Sequence, residues 1–124
     1  MEQQFLYYNM RRVVQLVKDV IKGKPHHLRS HHWDDVRDAH IMKHPACAAC
    51  GSTSKLQVHH IKPFHLFREL ELDPTNLLTL CEHADTKCHL RIGHLGSWRK
   101  YNEDVIQDAA QALRDRALVG KKSV

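Results

Sequence analysis

Cys47-Ala48-Ala49-Cys50-Gly51 opens the stretch that decides the fold, and Cys81-Glu82-His83-Ala84-Asp85-Thr86-Lys87-Cys88-His89 closes it. Two thiols two residues apart face one point when the chain turns tightly between them. A second pair brought in from a distant segment completes a tetrahedron, which zinc favours without redox chemistry. The spacing therefore predicts a structural zinc held by Cys47, Cys50, Cys81 and Cys88. Four reduced structural cysteines, or a thioredoxin-like redox pair, are the alternatives. The second of these is disfavoured because no βαβ pattern surrounds the first pair. The second pair is loosely spaced, so His83 is an alternative fourth ligand. Zinc here clamps the two halves of the motif, and its binding energy becomes folding energy.

Two apolar runs lie between the pairs. Leu56-Gln57-Val58-His59-His60-Ile61 alternates as a strand does, with Leu56 and Val58 on one face and Gln57 and His59 on the other. Lys62-Pro63 breaks it. Asp73-Pro74-Thr75 makes a turn, and Asn76-Leu77-Leu78-Thr79-Leu80-Cys81 reads as a second short strand. Cys88-His89 opens a short helix interrupted by Gly93 and Gly96. Neighbouring strand residues point to opposite faces, so His59 and His60 can take separate tasks. The thiol frame brings His89 near them. Two imidazoles are then available for a second metal and one for proton transfer.

Helices are expected on either side. Leu6, Met10, Val13, Val17 and Val20 recur at steps of three and four, and Gly23 and Pro25 stop that helix. Lys24 to His32 reads as a basic loop, with Ser30 capping a helix from His31 to Lys43 that turns Trp33, Val36 and His40 inward. Pro45 ends it. Asn102 caps a last helix to residue 119. Its apolar stripe is Val105, Ile106, Ala109, Ala110, Leu113 and Ala117, and Gly120 is its stop.

Composition limits the possibilities. The 124 residues predict one domain spanning 1–124, with a core near 45–95 and helical extensions over 3–43 and 102–119. Nineteen Lys and Arg against 14 Asp and Glu leave a net charge of +5, and the chain's 12 histidines add roughly 3 charges more at pH 7 if exposed. That balance suits a polyanionic partner. Apolar runs are too short to span a bilayer, and Met1-Glu2-Gln3-Gln4-Phe5 lacks the pattern of a secretory signal. The expected location is the cytosol, where thiols stay reduced and serve metals.

Together, Cys47-x-x-Cys50, Val58-His59-His60-Ile61-x-Pro63, Asp73-x-x-Asn76-Leu77-x-x-Leu80-Cys81 and Cys88-His89 resemble the zinc-stabilised HNH endonuclease family. The resemblance covers about residues 45 to 95. It implies an α+β fold: a ββα-metal core of two antiparallel strands, a connecting loop and a helix, stapled by the four-cysteine zinc. It further implies that His59 and His89 hold a catalytic divalent cation, that His60 is the general base, and that Asn76 bonds across the loop to hold the base. Many members carry aspartate where this chain has His59. The nitrogen-rich set favours manganese, cobalt, nickel or zinc over strict magnesium dependence. His94 is a further ligand or a phosphate contact. In an α-helix it falls off the face that carries His89.

The activity so implied is hydrolysis of DNA phosphodiesters, leaving 5′-phosphate and 3′-hydroxyl ends, in a bacterial or phage protein. A monomer nicks; a homodimer cuts both strands. Lys62, Arg68, Arg91, His94, Arg99 and Lys100 are the expected DNA contacts, with Trp98 read as core. A zinc-stapled nucleic-acid-binding module without catalysis is the alternative; it leaves His60, Asn76 and His89 unexplained. A protein-interaction adaptor using the terminal helices is a third reading.

Overall fold

The computed structural model describes residues 29–122, and the helix expected over Leu6 to Val20 lies outside them. Five elements carry the site: helix α1 (Trp33–Lys43), strands β1 (Leu56–His60) and β2 (Leu77–Cys81), a π-helical turn (His89–Gly93), and helix α2 (Val105–Lys122). The strands pair antiparallel, with Leu56 opposite Cys81 and His60 opposite Leu77. Strands, loop and helical turn follow the expected ββα order.

Pleating divides the sheet between two cores. Val58 and Leu77 pack with Trp33 of α1, flanked by Val36, Ile41 and Leu72. Leu80, on the opposite face, joins Cys47, Ala49, Cys88, Val105 and Ala109 in the other cluster, where α2 lies across the thiols, and Cys81 at the end of β2 reaches the same cluster. His60 shares the first face, its ring 4.5 Å from that of Trp33. His59 shares the second, beneath the π-turn. One residue of register thus sends the two imidazoles into different environments.

Residues 61–76 connect the strands irregularly, and Asn76 ties the connection shut. It is buried. Its Oδ1 accepts from the Lys62 amide at 2.8 Å, and its Nδ2 donates to the carbonyls of Lys62 (3.0 Å) and Leu70 (3.2 Å). Its own carbonyl accepts from the Ile61 amide. A buried loop needs such partners for its backbone groups. Asp73 caps the turn before Asn76 by accepting from the Thr75 amide.

Three sequence readings change. Helix α1 starts at Trp33 rather than His31, although Ser30 still caps the approach by accepting from the His32 amide. Helix α2 runs through Gly120 to Lys122, so that glycine is no stop. Its buried stripe is narrower than expected. Val105 and Ala109 are buried and Ala112 partly so, whereas Ile106 and Leu113 are 54% and 42% exposed. Only the small residues fit against the thiol core. Asn102 does cap the helix entry, accepting from the Asp104 amide at 2.9 Å.

Replacing Asn76 by Ala leaves one buried amide and two carbonyls short of partners. A destabilisation of about 1–3 kcal/mol is expected, read by urea unfolding of the metal-loaded protein. Asn76→Asp keeps the acceptor but loses the donor, and it should fall below wild type too. Wild-type stability in both would disprove the clamp.

Candidate active site

The four sulfurs come from three places: a turn at Cys47 and Cys50, the end of β2 at Cys81, and Cys88 just before the π-turn. The Cys47 carbonyl accepts from the Gly51 amide at 2.8 Å, and Gly51 takes φ +78°, which a side chain resists. All four sulfurs lie within 4.8 Å of one another, and Cys50 and Cys81 approach to 3.5 Å. None is in a disulfide. Tetrahedral Zn–S bonds would set sulfurs about 3.8 Å apart. Burial favours protonated thiols. At Cys81 this is outweighed by hydrogen bonds from Thr86 and from the backbone of His83 and Cys88, which bring it down to about 6. Burial, then the charge of Cys47, pushes Cys88 up. Four thiolates cannot share this space without a cation, so the cluster fits a structural metal ion. His83 is not in it. Its Nε2 meets the hydroxyls of Ser52 (2.7 Å) and Ser54 (3.0 Å) instead.

A second cluster gathers His59, His89 and His94, with ligand atoms again within 4.8 Å. His94, which the sequence left open between further ligand and phosphate contact, belongs to this cluster. The backbone explains it. The His94 amide donates to the His89 carbonyl five residues back, so the chain turns in wide π rather than α geometry. The wider turn brings position five back toward the face of position zero.

Each imidazole is set for coordination. His89 Nδ1 faces the Glu82 carboxylate at 3.1 Å, and His94 Nδ1 donates to the Lys100 carbonyl at 2.7 Å. Both leave Nε2 free to bind a cation, as outer-shell partners of metal-bound histidines commonly do. His59 is 1% exposed and its Nε2 has no hydrogen-bond partner. A buried orphan nitrogen beside two oriented imidazoles fits a divalent cation. Burial foremost, then the neighbouring His89, His94 and His60, lowers His59 to about 3. It is neutral at pH 7, as a ligand must be. Gly93 lets the ring in: a Cβ there would stand 3.0 Å from His59 Cε1 and 3.1 Å from Nδ1.

His60 sits on the other face. Its Nε2 lies 2.8 Å from the Glu71 carbonyl, which can only accept. The proton is therefore on Nε2, and Nδ1 carries the lone pair. Burial, helped by the charges of Arg29 and His89 and opposed by the Glu71 carbonyl, brings His60 down to about 4. Asn76 supports this arrangement from one residue away, through the Leu70 carbonyl.

The remaining expected positions are peripheral. Lys62, Arg91, Arg99 and Lys100 are exposed and Arg68 is half-buried. Trp98 is not core. It is 56% exposed, its ring 5.1 Å from that of His89 and 4.9 Å from that of His94. Arg29, Glu71 and Glu82 were missed by sequence reasoning, because nothing local marks a charged residue that acts through a distant partner.

Residues 47–95, about two-fifths of the chain, match the family model described as HNH endonuclease. This segment is an HNH domain. The match begins at the first cysteine and ends just past His94, so both clusters of the HNH domain fall inside it. Neither a curated protein nor a solved structure gives a match to the chain. No helix among the described residues is long and apolar enough to cross a membrane.

Two outcomes follow. Gly93→Ala should weaken manganese binding by the histidine cluster at least tenfold by calorimetry, roughly 1.4 kcal/mol, while the tightly held structural metal stays. Unchanged affinity would mean that His59 does not need the space. Acid should also destabilise the protein. Above pH 6.5 the histidines are neutral in both folded and unfolded chains. Below it, unfolded imidazoles take protons that folded His59 and His60 refuse, so stability falls towards pH 3–4. A double His59→Gln, His60→Gln variant should show a flatter slope over that window. A slope as steep as wild type would rule these two residues out.

Proposed function

We propose that this HNH domain is a metal-dependent endonuclease that hydrolyses DNA phosphodiester bonds, with His60 as general base. The observation that carries the reading is the fixed tautomer of His60. The Glu71 carbonyl accepts a hydrogen bond from Nε2–H, so Nδ1 is the nitrogen able to accept a proton. A base must present a lone pair at working pH, and His60 does.

His59, His89 and His94 are the proposed ligands of a divalent cation: manganese, magnesium, cobalt, nickel or zinc. Such a cation, when bound, stabilises charge on the phosphate and the departing oxygen. Glu82 and the Lys100 carbonyl hold two of the imidazoles in ligand orientation. Cys47, Cys50, Cys81 and Cys88 are the proposed zinc staple. Water attacks phosphorus, its proton passes to His60 Nδ1, and the bond from phosphorus to the 3′ oxygen breaks. That oxygen takes a proton from solvent. Asn76 acts by positioning the loop that carries Glu71. Lys62, Arg91, Arg99 and Lys100 supply positive charge for the backbone, which makes binding salt-dependent and tolerant of sequence.

The test is nicking of supercoiled plasmid by wild type and His60→Ala, with each metal added separately. Wild type should nick, and His60→Ala should lose at least about a hundredfold in rate with its zinc and thermal midpoint intact. DNA binding without cleavage by any metal would instead favour a zinc-stapled binding module.

A further inference from the structure

Arg29 lies outside the segment that matches the family, yet its guanidinium reaches the base. Nη1 stands 3.3 Å from His60 Nδ1, the nitrogen that carries the lone pair. The guanidinium is held by two rings: its carbon is 4.1 Å from the centroid of Phe64 and 4.8 Å from that of Trp33. No carboxylate among the described residues comes within ion-pair distance of it. Glu71 is the acidic group whose charge it feels, but that carboxylate accepts from the Ser30 amide at 3.1 and 3.3 Å. Arg29 is itself exposed. A cation seated between two rings, with no carboxylate partner among the described residues, is a site for an anion.

His60 Nδ1 has one lone pair and cannot serve both Arg29 and a water. At 3.3 Å the contact with Arg29 is longer than a good hydrogen bond, so exchange is easy. A water taken up by Nδ1 sits about 3 Å away, and the phosphorus it attacks lies just beyond. That places a phosphate oxygen within reach of the released guanidinium.

We propose that Arg29 is a catalytic residue of this site: it covers the base nitrogen of His60 in the free protein and moves to the scissile phosphodiester when substrate binds. Recognition is of the phosphodiester itself, independent of the base. The proposal rests on the nuclease reading above.

The experiment compares wild type, Arg29→Ala, Arg29→Lys and His60→Ala with manganese, on supercoiled plasmid and on bis(p-nitrophenyl) phosphate, a diester without bases. Zinc content and thermal midpoint are measured alongside. Arg29→Ala should lose about 100-fold in kcat/KM on both substrates, as when one donor to the reacting phosphate is removed. Arg29→Lys should fall between, since an ammonium supplies charge without the fork. Millimolar guanidinium, entering the slot between Trp33 and Phe64, should restore part of the Arg29→Ala rate and leave His60→Ala inactive. An Arg29→Ala rate near wild type, with His60→Ala inactive, overturns the role of Arg29 and leaves the nuclease reading standing. A loss in Arg29→Ala that guanidinium does not reverse, with a lowered midpoint, makes Arg29 a structural prop and also overturns it. Wild type no more active than His60→Ala on either substrate removes the nuclease reading, and Arg29 with it.

Discussion

Four sulfurs confined within 4.8 Å of one another are the constraint on which the rest depends. They tie the turn at Cys47, the end of β2 and the entry to the π-turn to one point. A two-stranded sheet is marginal by itself in water, and the apolar residues around these thiols are few and small. Leu80, Val105, Ala49 and Ala109 complete that core. A metal bound there would add binding energy to this core. The thiol cluster also fixes where the π-turn starts, and so where His89 and His94 come to lie.

The second constraint is strand pleating. His59 and His60 are adjacent in sequence and therefore sit on opposite faces. One is enclosed by His89, His94 and Gly93; the other is enclosed by Trp33 and the loop. A ligand needs a neutral imidazole aimed at a cation, and a base needs a neutral imidazole aimed at a water. Burial keeps both neutral, and different partners aim them. The same two residues on a helix would stand about 100° apart on one surface, without this separation.

The segment ahead of α1 joins the two parts of the molecule. Ser30 binds the Glu71 carboxylate through its amide, and Glu71 holds His60 through its carbonyl. One loop residue thus holds both His60 and the chain that carries Arg29. Asn76 closes the same loop from the other side. His60 is consequently supported by the HNH domain and by residues before it.

Much of this was legible in the residues alone. The C-x-x-C pair, the later cysteines and the Val58-His59-His60-Ile61 alternation point to a thiol cluster and a pleated strand, because both signals are local and periodic. Asn76 and His89 were legible through their fixed places between those landmarks. What only the tertiary structure decided depends on contacts across long separations in the chain. His94 joins the histidine cluster because the turn is π and not α, a difference of one residue that composition does not encode. Trp98 is exposed because the histidine cluster, not the core, lies beneath it. The buried stripe of α2 narrows to Val105, Ala109 and Ala112, the positions that pack against the thiol core. Arg29 and Glu71 gain their places through partners 31 and 41 residues away. A charged residue in a loop looks the same in sequence whether it faces solvent or a base; only the packing that surrounds it distinguishes the two.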